Sequence, residues 1–416
     1  MSAAGHESLR PLTRDERAGF SWLEAGHLNR VIAALEAAEP DSARYVGGCV
    51  RDSLLGFTPK DFDVATVLTP DAATAALKAA GLGVAPTGVD HGTVTAIADH
   101  KGVEVTTLRA DVSTDGRRAT VAFTRDWATD AGRRDFTVNA IYLTPDGRLY
   151  DPVGGVADAA KKCVRFIGDP QARIREDYLR ILRFFRFSAR FCERFDEAGL
   201  AACAALKDGI GQLSAERIGA ELTGILSLPR AGFALAAMEH SGVLAQVWSE
   251  TPDLAAAAQM KTIEPHAPAP LMLAALYGEA GQGIGSALRL SNAEKAVRSN
   301  ALKNLDGVAP KMTDHKVCEL IYRYGKDGLA DAALLAAARG VISAEDHISV
   351  KDRIDRFVAP LLTVSGRDVV KANIEPGPAV SKILVETEQR WIEEGFPGEA
   401  RQREILEGVI KQHKTA

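Results

Sequence analysis

The stretch Tyr45-Val-Gly-Gly-Cys-Val-Arg-Asp-Ser-Leu-Leu-Gly56, with Lys60-Asp-Phe-Asp-Val-Ala-Thr66 close behind it, leaves a chain few ways to fold. It predicts a strand, a double-glycine turn, a short helix and a second strand that carries Asp61 and Asp63. Side chains alternate faces along a strand, so these two carboxylates project from the same side. Adjacent carboxylates on one face repel each other unless a cation sits between them. Gly47 and Gly48 leave backbone N–H groups open to an anion, and the helix that follows adds its positive end. A phosphate cradle beside a divalent-metal site is what phosphoryl or nucleotidyl transfer requires. A third carboxylate is expected for two metals. Glu104 is the candidate, in the alternating segment Gly102-Val-Glu-Val-Thr-Thr-Leu-Arg109, which can pair beside the Asp61–Asp63 strand. A solvated strand residue is the competing reading of Glu104.

Two further constellations carry charge in unusual places. In Arg133-Arg-Asp-Phe-Thr-Val-Asn-Ala140 a charged trio runs straight into an apolar, strand-like segment. Arg134 can neutralise phosphate as a bidentate donor, Asp135 can accept from a ribose hydroxyl, and Asn139 can hold the turn through the backbone. The alternative is a surface ion pair with a buried Asn. In the Arg173–Arg190 segment, helical spacing puts Arg173, Glu176, Asp177, Arg180, Arg183 and Arg190 on roughly one face, with Ile174, Tyr178, Ile181, Leu182 and Phe185 opposite. Asp177 and Arg180 then offer an acceptor and a fork of donors side by side, a pattern suited to the hydrogen-bonding edge of a base. Ion pairs along a wet helix are the alternative. Ser214 with Glu216 and Arg217 reads as the capped start of a bracing helix.

Strand signals cluster at Tyr45–Val46, Phe62–Val67, Thr93–Ala98, Val103–Leu108 and Val138–Leu143, preceded by an amphipathic helix over 22–38. The polar segment between Leu108 and Asp135 reads as a mobile loop. From Asp169-Pro170 onward nearly everything reads as helix, with breaks near Gly209–Gly211, Pro265–Pro270, Gly281–Gly285, Pro310 and Pro376–Pro378. The fold class is therefore α+β, a catalytic head with a mixed sheet and helices followed by an all-α extension. Residues 1–20 are polar and expected to fray. The net charge of −5 argues against indiscriminate nucleic-acid binding but leaves room for a local basic groove. Five scattered cysteines without a CxxC pair suit reduced thiols in a cytoplasmic protein. No apolar run is long enough to span a bilayer, so no membrane partner is expected.

The ordered motifs Gly47-Gly48-Cys49-Val50-Arg51-Asp52, Asp61-Phe62-Asp63, Arg134-Asp135-Phe136-Thr137-Val138-Asn139-Ala140 and Glu176-Asp177-x-x-Arg180-x-x-Arg183 resemble those of the class II tRNA nucleotidyltransferase and bacterial poly(A) polymerase family. The likeness covers residues 28–225. It implies a head of the DNA polymerase β superfamily, followed by helical neck, body and tail. The corresponding division is an N-terminal extension 1–27, a nucleotidyltransferase head 28–155, a base-recognising neck 156–225, and an RNA-binding body and tail 226–416.

The resemblance also implies two Mg2+ ions on Asp61, Asp63 and Glu104, and contact of Gly47, Gly48 and Arg51 with the triphosphate. Arg134, Asp135 and Asn139 would form the phosphate and ribose site. Asp177 and Arg180 would pair with the base of CTP or ATP, supported by Arg183 and Arg186. The implied reaction is template-independent addition of C, C and A to the tRNA 3′ end, with poly(A) synthesis or CC-only and A-only addition as alternatives. Residues 110–130, with Arg117, Arg118 and Arg125, would be the loop linked to the switch from C to A addition. No obligate protein partner is implied. No His in the chain is followed directly by Asp, so the phosphohydrolase activity that some family members add is expected to be absent.

Overall fold

Alternation of apolar and polar residues builds the N-terminal sheet. The strands are β1 (Leu9–Pro11), β2 (Ala43–Val46), β3 (Asp63–Thr66), β4 (Gly83–Gly88), β5 (Thr93–Ala98), β6 (Lys101–Thr107), β7 (Arg109–Asp111), β8 (Val121–Phe123), β9 (Tyr142–Leu143) and β10 (Arg148–Tyr150). This is a computed structural model, and it describes residues 8–88, 92–111, 121–358 and 360–415. Among those residues, eight strands form one sheet in the order β1-β10-β9-β2-β3-β6-β5-β4, while β7 and β8 pair separately. The sheet is mixed: β3 runs parallel to β6, and the other pairings are antiparallel.

Each face of the sheet buries its own apolar cluster. On one face Val64, Val94, Ala96, Val103 and Val105 meet Leu28, Val31, Ile32 and Leu35 of the Gly26–Ala38 helix, which recur at helical spacing. On the other, Val46, Ala65 and Leu108 meet Trp127, Tyr142 and Tyr150. The polar positions that alternate with the first cluster, Asp63 on β3 and Glu104 on β6, therefore fall together on the second face.

Several expectations change. Residues 8–20 are not frayed: β1 pairs with β10, Thr13 caps the Arg14–Ala18 helix, and Phe20 is buried. The stretch 1–27 is accordingly no separate extension from Leu9 onward, because its strand completes the edge of the head's own sheet. Val138–Leu143 is not one strand. Thr137–Asn139 forms a single turn of 3-10 helix, and only Tyr142–Leu143 joins the sheet. The segment after Leu108 is partly packed: β7 and β8 pair, and Asp126 caps a short helix, Trp127–Gly132, whose Trp127 is buried. Arg117 and Arg118 lie outside the described residues.

The chain divides into two compact units, Met1–Ser249 and Glu250–Ala416, a later division than the one placed at residue 226 from sequence. In the first unit the sheet passes into helices at Gly155, where a Cβ would lie 2.1 Å from the carbonyl oxygen of Thr137. Only glycine lets the Gly155–Ala160 helix approach that backbone. Phe136 from the head and Phe166 from the segment after it meet Phe184 and Phe187 of the Leu179–Phe191 helix in one aromatic cluster, with ring centroids 4.9–6.3 Å apart. In the second unit one core gathers Leu320, Ile321, Leu329, Ala336, Val350 and Ile354. A second lies between the Pro378–Glu393 and Glu399–Thr415 helices around Trp391. The Ala269–Tyr277 helix is buried along its whole length. Among the described residues no helix is long and apolar enough to cross a membrane.

Phe184 is fully buried and touches four other phenyl rings. Phe184→Ala is expected to cost about 3–5 kcal/mol through lost burial and the cavity left behind. Urea unfolding of the intact chain checks this, and an unchanged midpoint would contradict the packing.

Candidate active site

The glycine turn is set by backbone geometry. Gly47 has φ 70° and ψ −120°, a region closed to residues with a Cβ, and it turns the chain from β2 into the Gly48–Leu54 helix. Arg134 packs along this turn, its Nη1 3.6 Å from where a Gly47 Cβ would stand. Arg134 Nη1 also donates to the carbonyl of Asn139 (3.4 Å), which ties the guanidinium to the 3-10 turn.

Parallel pairing of β3 with β6 sets Asp63 directly beside Glu104. Asp61 precedes β3 rather than lying within it, and it is exposed, as is Glu104. Burial first, then the negative charges of Glu104 and Asp61, push the Asp63 carboxyl up to about 6, against the opposing pull of Arg134 and Arg51. Carboxylates close enough to repel in this way would be relieved by a divalent cation, so the donor set fits one. As they stand, no three His, Cys, Asp or Glu side chains among the described residues form a ready ligand cage.

Around this face the arginines are held by buried carboxylates. Arg51 is buried: its Nε and Nη2 donate to Asp52 Oδ1 (2.9 and 2.7 Å) and its Nη1 to Asn139 Oδ1. Arg190 donates to the other oxygen of Asp52 (2.6 Å). Asn139 Nδ2 donates to Asp135 Oδ1 (3.0 Å), which also accepts from the Phe136 N–H (2.8 Å). Asn139 thus bridges two side chains as well as offering its carbonyl to Arg134. Asp135 Oδ2 accepts from Arg183 Nε (2.8 Å). Burial alone would raise Asp135, but Arg183 and these N–H donors hold it below the usual carboxylate range. Glu221, from the Ala215–Leu226 helix, accepts from Arg186 Nε (2.6 Å) and lies 3.7 Å from Arg183. Both arginines lie over the Phe187 ring.

The predicted single helix from Arg173 to Arg190 is interrupted. Pro170–Glu176 ends at Asp177, which has extended backbone, and a new helix begins at Leu179. The Arg180 backbone N–H donates to the Asp177 carbonyl (3.0 Å), but their side chains take other partners. The Asp177 carboxylate accepts from the Leu179 N–H at the start of the new helix (3.1 Å) and from Arg217 (2.7 Å). Arg180 donates to Glu176 (2.5 Å) and to the carbonyls of Arg173 and Arg133. Ser214 caps the Ala215–Leu226 helix, and that helix braces the arginine helix as expected.

Sequence reasoning missed Asp130 and the partner role of Glu221. Asp130 is 1% exposed and anchors Arg133, Arg134, Tyr142 and the Arg109 N–H. Its signal was present: Asp126 at a cap position ahead of Trp127 marks a helix inside a stretch that polarity alone makes look like loop.

Residues 43–165 match the family model described as Poly A polymerase head domain. The chain is 33% identical over 378 residues to a mouse protein, CCA tRNA nucleotidyltransferase 1, mitochondrial, covering 88% of this chain and 86% of that one. This chain belongs to the CCA tRNA nucleotidyltransferase family. A CCA-adding enzyme of Levilactobacillus brevis is 29% identical over 386 residues, covering 89% of this chain and 94% of its own. Among solved structures, the Bacillus stearothermophilus CCA-adding enzyme in complex with CTP shares the fold, with a TM-score of 0.77, 24% identity and coverage of 94% of this chain and 98% of that one. As a member of this family of nucleotidyltransferases, the chain is an enzyme whose head is of the divalent-metal-using type.

Burial would raise Asp130, but Arg134 and Arg133 outweigh it and hold the carboxyl down at about 2, against an ordinary value of 3.8. A carboxyl depressed in the folded state contributes stability above its unfolded value, and that stability is lost as pH falls through the folded value. The contribution is about 2 kcal/mol. Asp130→Asn should therefore be less stable than the parent at pH 7, and the gap should narrow between about pH 4 and pH 2. Denaturant titrations across that range check it. A gap independent of pH would contradict the assignment.

Proposed function

We propose that this chain adds C, C and A to the 3′ end of tRNA, drawing on CTP and ATP, releasing pyrophosphate and using no nucleic-acid template. The observation that carries the reading is the juxtaposition of the Asp63–Glu104 pair, the glycine turn and Arg134 on one face of the head. The relatives that span most of the chain carry the name of this activity, and solved structures of the fold include complexes described with CTP, ATP and tRNA.

Asp61, Asp63 and Glu104 would hold two Mg2+ ions, which when bound polarise the α-phosphate and lower the pKa of the RNA 3′-hydroxyl. The chain's own groups do the rest. The Gly48 amide and Arg134 orient the triphosphate, the Gly47 N–H being taken by the Ile141 carbonyl (3.3 Å), and Arg51 adds positive field from its buried pair with Asp52. Asp135 and Asn139 shape the ribose side. Asp177 and Arg180 read the base edge, exchanging or sharing their present contacts with Arg217 and Glu176. Arg183 and Arg186, gripped by Asp135 and Glu221, keep that helix in place. This assigns residues 28–155 to nucleotidyl transfer, 156–225 to base recognition and 226–416 to RNA binding. The proposal is cytoplasmic in location on the reduced-thiol reading of five unpaired cysteines, although the relatives include proteins named mitochondrial.

Asp63→Ala should abolish nucleotide addition, by at least about a thousandfold, while the circular-dichroism spectrum stays that of the parent. The assay presents tRNA ending at the discriminator base with labelled CTP, ATP or both and reads product length at single-nucleotide resolution. Products of plus two with CTP and plus three with both support CCA addition. Long A tails would point instead to poly(A) synthesis by the same head, and products stopping at plus two, or formed only from CC-ended tRNA, to partial activity. In the same assay Asp177→Ala should blur the choice among CTP, ATP, UTP and GTP more than it slows a single incorporation. A preference identical to the parent's would overturn the base-reading role.

A further inference from the structure

Asp130 stands where three elements meet. It lies on the Trp127–Gly132 helix, almost wholly buried, and both its oxygens are fully engaged. Oδ2 accepts from Arg134 Nε (3.2 Å) and Nη2 (3.1 Å) and from the Tyr142 hydroxyl (2.7 Å). Oδ1 accepts from Arg133 Nε and Nη2 (3.0 and 2.6 Å) and from the backbone N–H of Arg109 (3.0 Å), the first residue of β7. A guanidinium has five N–H groups in a fixed plane. Asp130 grips Arg134 along its Nε–Nη2 edge and the Asn139 carbonyl takes a proton of Nη1, so the Nη1–Nη2 edge is left to point along the glycine turn. Gly47 offers no side chain to hold that plane, and Tyr142 supports it from one side, with its hydroxyl 3.3 Å from Nε and its ring centroid 5.4 Å from Cζ.

We propose that Asp130 is a positioning residue for nucleotide binding: it orients Arg134 so that the free edge of the guanidinium meets the triphosphate, and it fastens the root of the β7–β8 hairpin to the same point. The proposal rests on the reading of Arg134 as a phosphate contact. A merely structural Asp130 would destabilise the head without selecting one substrate. A positioning Asp130 acts on the nucleotide, through Arg134, and spares tRNA affinity.

The experiment is a double-mutant cycle in steady-state kinetics with the full chain, using Asp130→Asn, Arg134→Ala and the combination. Folding of each variant is verified by circular dichroism at the assay temperature. Each single substitution is expected to raise KM for both CTP and ATP about tenfold, the loss of one charge-assisted contact, with KM for tRNA unchanged and kcat altered less. The double variant should be no worse than Arg134→Ala alone, because the two residues act as one unit. Losses that multiply in the double variant, or a KM for tRNA that rises in parallel, would overturn the positioning role. An unchanged nucleotide KM in Arg134→Ala would instead sink the phosphate-contact reading, and the proposal with it. Should Asp130→Asn not fold, Tyr142→Phe replaces it. Losing only the hydroxyl at the same junction should raise nucleotide KM in the parent and leave it unchanged in the Arg134→Ala background, and equal effects in both backgrounds would refute the proposal.

Discussion

Buried carboxylates paired with arginines are the constraint on which the candidate site depends. Asp52, Asp130, Asp135 and Glu221 are each less than one-tenth exposed, and each holds at least two N–H donors. An ionised carboxylate without a partner in such surroundings costs several kcal/mol, so none of the four can be satisfied unless its arginine arrives in one geometry. The arginines come from different elements: Arg51 from the glycine-turn helix, Arg134 from the stretch before the 3-10 turn, and Arg183, Arg186 and Arg190 from the aromatic-cored helix. Satisfying the carboxylates therefore docks that helix against the head. Net stability need not be large for such pairs. Their contribution is orientation, because a planar guanidinium held along one edge has little freedom left.

The same charge logic runs the other way at the sheet. Asp63, Glu104 and Asp61 are brought near one another with no salt bridge to any of them among the described residues, and burial together with those like charges raises the Asp63 carboxyl. The head thus neutralises the charges that fix its shape and leaves like charges facing one another where a cation and a triphosphate would be brought together. Arg134 and Arg51 lie close enough to Asp63 to temper that repulsion without pairing with it, which suits a site that must take up and release its ligands repeatedly.

The division between what could be read from residues and what could not follows interaction range. The glycine turn, the strand ahead of it and the alternating Glu104 strand are local patterns, and the structure has them. Asp177 lay in a segment of helical periodicity. The break at Asp177–Tyr178 was invisible because Tyr178 and Leu179 continue the apolar spacing while the Asp177 side chain accepts from the Leu179 N–H at the start of the next helix. Asp130 was passed over because a polar segment with threonines and aspartates looks like loop until Trp127 is known to be buried. β1 and β10, three residues each, carry too few side chains for a period to register, and they exist because each completes the other's backbone hydrogen bonds at the sheet edge.

By itself the sequence determined the chemistry available: which carboxylates, glycines and arginines stand in order along the chain, and the periodicities that make some segments strand and others helix. Those are properties of neighbours within a few residues. Only the tertiary structure decided which strand lies beside β3, and hence that Asp63 faces Glu104. It alone decided which buried acid takes which arginine, at sequence separations from 1 to 138 residues. The physical reason is that strand pairing and burial are settled by the closure of a whole core. A charge's partner is whichever opposite charge that closure leaves within reach, and no local pattern encodes it.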